Sequence, residues 1–155
     1  MLTTLLIFHA LSAVTLLGAI THQTLSVWRP KHVPPSSFVA RFRAVPAASY
    51  VNAIIVLFVV VTFIGGVLIY PAYRVSVRIV LIQLRMNVPN GLFELKEHFA
   101  SVGLGLLPAY WYYWRQPLLP EYALTRAMLT TILAFIVWWG FIVGHVLNNV
   151  RGFGS

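Results

Sequence analysis

The sequence predicts an all-α integral membrane protein: four transmembrane helices in an up-down bundle, with a short amphipathic helix at the membrane interface. Three observations predict this. Apolar residues make up 59% of the 155 residues, charged residues 9%, and the mean hydropathy is +0.83, whereas a soluble domain carries about a quarter charged residues. The apolar residues arrive in blocks, and the stretches between them hold nearly all the charge. The blocks also have the length that a helix needs, about 20 residues, to cross a hydrocarbon layer of roughly 30 Å. The whole chain, 1–155, is read as a single transmembrane domain.

The first span, 2–21, is uncharged and holds His9. No Lys or Arg precedes Arg29, so the segment lacks the positively charged start of a secretory signal and is read as a retained span. The connection that follows carries Arg29, Lys31, Arg41 and Arg43, and Pro30, Pro34, Pro35 and Pro46 break any continuous helix across it. Within it Ser37 is placed to cap a short amphipathic turn over 38–44. The second span, 51–70, has Asn52 and Thr62 as its polar side chains well inside.

Pro71 then suits the first turn of a new helix, read as the interfacial helix, 71–87. Arg74, Arg78 and Arg85 fall within about 40° of one another on it, a single basic stripe. Val75, Ile79 and Ile82 leave apolar surface beside the stripe for lipid or a neighbouring subunit. Pro89-Asn90-Gly91 marks a break. The third span, 93–114, enters past Lys96 and Glu97 and ends in Tyr110-Trp111-Tyr112-Tyr113-Trp114, which reads as an interfacial aromatic belt. The fourth, 123–146, has Arg126 near its start and His145 near its end.

Several chemistries are excluded by what the chain lacks. It contains no cysteine and no aspartate, and only three acidic residues in all. It therefore supplies no disulfide, iron–sulfur cluster, thiolate zinc site or Ser/His/Asp triad. Gly103-Leu104-Gly105 lies inside a span without the rest of a nucleotide-binding fingerprint. Gly65-Gly66 and the Gly140/Gly144 spacing read as places of close helix approach. The net charge of +8 is distributed over both membrane faces, which suits anionic lipid headgroups and argues against nucleic acid. The spans offer few polar groups to line a transport pathway.

The histidines are the remaining chemistry, because an ionisable group inside a span is a functional candidate. Four crossings bring His9, His98 and His145 to one half of the bilayer. Imidazole is a good iron ligand, and helical bundles build metal sites from facing helices. Haem b held by His9 and His145 is therefore expected, with Arg74 and Arg78 pairing its propionates. His98, beside Lys96 and Glu97, is read first as interfacial and otherwise as an alternative ligand. A copper site on all three histidines ranks lower, since no oxygen or sulfur ligand accompanies them. The plan, histidines on the first and last of four spans, is similar to that of small membrane cytochromes b.

Two functions follow as expectations. One is a haem-b electron-transfer subunit of a respiratory-type redox complex, with a quinone or a redox protein as partner. The other is a cofactor-free accessory subunit of a larger membrane complex. Either fits a non-catalytic chain better than an enzyme. The expected location is a bacterial cytoplasmic membrane with both termini on one side. The positive-inside rule favours that side being outside by a single charge.

Overall fold

A computed structural model describes residues 2–28 and 45–152, and among these every regular element is helical. The turn expected over 38–44 lies outside the described residues. Four long helices carry the architecture: α1 (Leu2–Val27), α2 (Ala47–Gln83), α3 (Asn87–Trp114) and α4 (Ala123–Gly152). Each packs on the next, and α4 returns to pack on α1.

Side-chain pairs set the register. Trp28 donates its indole N–H to Thr131 at 2.9 Å, and Trp138 donates to Thr21 at 3.0 Å. The same seven-residue step on both helices, taken in opposite directions, makes α1 and α4 antiparallel neighbours. Phe58 of α2 lies against Gly103 of α3, while Gly66 lies against Glu97, so this pair is antiparallel as well. A Cβ on Gly103 would overlap the Phe58 ring, and the glycine is what lets the two helices close there. The core runs through the middle of the ring of helices, with Leu16, Ile20, Ile54, Phe58, Leu107, Tyr110, Leu133 and Val137 buried.

Three of the helices, α1, α2 and the α4 region, are long and apolar enough to cross a membrane. Their outward faces carry Phe8, Leu11, Val56, Phe63, Phe135 and Ile142, all exposed. Such a continuous apolar exterior is incompatible with a water-soluble monomer, and the chain is a membrane protein. α3 is long but not in that set; its first half carries Glu94, Lys96 and Glu97.

The region 71–87 differs from expectation. In place of a separate interfacial helix, α2 continues through Pro71 to Gln83 and reaches 37 residues, about 55 Å at 1.5 Å per residue. Proline lacks an N–H and ordinarily disrupts the ladder. Here the helix widens on both sides of it: the N–H of Tyr70 bonds the carbonyl of Gly65, and that of Arg78 bonds Tyr73, each five residues back. Pro71 thereby falls in the first turn of the segment that restarts, where no N–H is required. Widened turns of this kind are rare and often sit at functional sites.

The turn from α2 to α3 is made by Arg85, whose φ is +55°. The N–H of Met86 reaches back to the carbonyl of Leu81 at 2.8 Å, a closure that normally has glycine at the left-handed position. Arg85 is therefore taken out of the stripe expected with Arg74 and Arg78. α3 starts at Asn87, before the expected break, because Pro89 sits within its first turn and is tolerated there.

Candidate functional site

The α1–α2–α3 junction gathers the ionisable groups. His9, on α1, faces inward against α2. A Cβ on Gly65 would come 2.9 Å from His9 Cε1, so that glycine leaves the space the imidazole fills. His9 Nδ1 is buried and lacks a hydrogen-bond partner among the described residues. The charged side chains that act on the ring are Lys96 and Glu97 of α3. These two are paired with each other, Lys96 Nζ to Glu97 Oε1, at 2.6 Å. The other oxygen of Glu97 points to Gly66, where a Cβ would lie 3.7 Å away. The adjacent glycines of α2, inside its first widened turn, thus receive an imidazole on one side and a carboxylate on the next.

One turn back along α3, Glu94 pairs with Arg78 of α2 at 3.4 Å. Beside these ion pairs, Tyr70, Tyr73 and Phe93 stack, with the Tyr73 and Phe93 centroids 3.7 Å apart. Lys96 also lies over Phe93, 4.7 Å from its centroid. Tyr73 OH and Asn90 Oδ1 are buried without partners among the described residues. Leaving polar atoms buried and unpaired is costly, so their concentration here marks a place where stability has not been maximised.

The sequence-derived candidates are distributed as follows. His9 is at the junction. His98 is exposed, and its Nδ1 lies 2.7 Å from the backbone oxygen of Glu94. Arg78 is held by Glu94, and exposed Arg74 lies over Tyr70 at 5.9 Å. His145 is exposed on α4 and stacks on Phe141 of its own helix. Extending the α1–α4 register puts His145 level with Val14, about 7.5 Å along the axis from His9. The two imidazoles share one half of the bundle but not one facing. His9, Lys96 and Glu97 are brought together; His145 stands apart from them.

The aromatic belt is divided as well. Trp111 and Tyr112 are exposed, as a belt requires, but Tyr110 and Trp114 are buried in the core. Trp114 donates to Thr130 at 3.2 Å and carries the Arg126 guanidinium 5.7 Å from its ring. Arg126, 8% exposed, also donates to the Leu119 carbonyl at 2.9 Å.

Sequence reasoning did not find Gln23. It is fully buried, accepts from Tyr110 OH at 2.6 Å, and donates to the Ala47 carbonyl at 3.0 Å. One side chain thereby ties α1 to α2 and α3. Its signal was present, an amide at the end of an apolar run, but it was overshadowed by the neighbouring His22.

No protein-family model, curated protein or solved structure matches the chain.

Proposed function

We propose that this chain crosses the bilayer four times and serves as a subunit of a respiratory-type membrane redox complex, with the His9–Lys96–Glu97 junction as its working part. The observation that carries the reading is the junction itself: ionisable groups from α1 and α3 meet at paired glycines of α2, where a purely structural bundle would place hydrocarbon. α3 serves as the third crossing because its charged side chains are paired, Glu94 with Arg78 and Lys96 with Glu97, and the rest of its length is largely apolar. Both termini then lie on one side, with the extended α2–α3 hairpin projecting past the hydrocarbon on that same side.

In its simplest form the subunit is an accessory one without a cofactor, which the outward facing of His145 supports. A second form, haem b ligated by His9 and His145, draws support from the buried and unpartnered Nδ1 of His9. It requires His145 to turn from Phe141 toward α1, and Arg78 to leave Glu94 if it is to pair a propionate.

The absence of cysteine makes the topology test clean. Single cysteines replacing Leu84 and Gln116 should label from opposite sides of sealed vesicles; labelling from the same side would sink the four-crossing reading. On the same preparation a reduced-minus-oxidised spectrum separates the two forms. A b-type band abolished by His9→Ala and by His145→Ala supports haem, and no band leaves the accessory form.

A further inference from the structure

A groove of about 500 Å³ lies between α2 and α3. Val59, Phe63 and Val67 give it a hydrocarbon lining; Glu94, Glu97, His98 and Ser101 of α3 give it polar atoms on one wall, and the Thr62 and Tyr70 hydroxyls on the other. The state of those polar atoms defines what fits. The backbone oxygen of Glu94 only accepts, so His98 Nδ1, 2.7 Å from it, carries the hydrogen. With the hydrogen on Nδ1, Nε2 is the nitrogen that carries the lone pair and accepts. Ser101 has already committed its hydroxyl hydrogen to the Glu97 carbonyl at 3.1 Å. Glu97 gives Oε1 to Lys96 and turns Oε2 toward Gly66.

The α3 wall thus offers hydrogen-bond acceptors, facing the Thr62 and Tyr70 hydroxyls, while the carboxylates of Glu97 and Glu94 are already balanced by Lys96 and Arg78. A cation gains little there. An uncharged molecule that donates hydrogen bonds and carries a long apolar part satisfies both linings.

We propose that this groove binds the dihydroxy ring of a lipid-soluble quinol. One ring hydroxyl donates to His98 Nε2, the Glu97 carboxylate accepts from the ring's polar side, and the tail runs along Val59, Phe63 and Val67. His98 thereby has a role distinct from haem ligation, and the site depends only on the membrane reading, not on a cofactor. A chain that resists carbonate extraction from membranes yet binds no quinol would sink this proposal and leave that reading standing.

The test uses the full chain in phosphatidylcholine nanodiscs, titrated under argon with decylubiquinol and with its dimethyl ether, which has the same shape and tail but no donor. Wild-type protein should bind the quinol about tenfold more tightly, the scale of one well-made hydrogen bond. His98→Leu should erase that preference, with helicity and melting temperature unchanged because the residue is exposed. Should His98→Leu misfold, Val67→Trp, at an exposed position on the groove wall, should block both ligands. Equal binding of quinol and ether would show a groove for hydrocarbon only and overturn the proposal. So would a preference that survives His98→Leu, binding unaffected by Val67→Trp, or no binding at all.

Discussion

Replacing Tyr110 with Phe removes one oxygen from a ring that is completely buried. The packing volume is nearly kept, so the change isolates a hydrogen bond. Tyr110 OH donates to Gln23 Oε1 at 2.6 Å, and Gln23 has no exposure to solvent. The variant therefore strands an amide oxygen with no water to replace the donor, a penalty of about 1–3 kcal/mol in a protein interior. In lipid the unfolded helices also find partners, and interhelical bonds average about 0.6 kcal/mol with a maximum near 1.7. An expected loss of about 1–2 kcal/mol follows. Thermal unfolding in detergent, followed by tryptophan fluorescence, converts this to a fall of about 2–8 °C at roughly 2–4 °C per kcal/mol for a chain of this size. Gln23→Leu should cost more, since it strands Tyr110 OH and also releases the Ala47 carbonyl, 3.0 Å from the amide nitrogen. The double variant Gln23→Leu/Tyr110→Phe should be no worse than Gln23→Leu alone, because the second change removes the hydroxyl that the first strands. Strict addition of the two losses, or a Tyr110→Phe melting point within about 1 °C of wild type, would refute the reasoning.

Two further substitutions test the backbone geometry by the same melting assay. Arg85→Gly should raise stability by about 0.5–1 kcal/mol, since the left-handed conformation at φ +55° costs glycine nothing, even after the extra freedom glycine has when unfolded; a lower melting point would show that the Arg85 side chain stabilises the turn. Gly103→Ala should destabilise by about 1–3 kcal/mol by driving a methyl group into the Phe58 ring, and adding Phe58→Leu should recover part of the loss, whereas a neutral Gly103→Ala would mean that α2 and α3 are not held as closely as Phe58 on Gly103 implies.

Much of the helical layout was legible because it depends on composition along the chain. Apolar blocks long enough to span and loops rich in charge placed the cores of α1, α2 and α4 where they are found. The extension of α2 was not legible. Pro71 normally starts a helix or breaks one, and the choice to pass through it rests on widened turns whose bonds form five residues back at Tyr70 and Arg78. Of the two glycine pairs read as places of close helix approach, Gly65-Gly66 receives the side chains of His9 and Glu97, which come from two different helices and could not be named from α2 alone, whereas a Cβ on Gly144 would meet nothing within 4 Å among the described residues.

The sequence by itself determined that this is a helical membrane protein, because hydropathy and span length are properties of a segment and need no partner. It also grouped the histidines, since counting along antiparallel helices places His9, His98 and His145 in one half of the bundle. Only the tertiary structure decided which way each one faces. Helices as apolar as α1 and α4 carry little information about their rotation, so the facing of His9 into Gly65, and of His145 away from it, is set by packing. The pairing of Trp28 with Thr131, Trp138 with Thr21, and Tyr110 with Gln23 fixes those rotations, and with them the place where the polar groups meet.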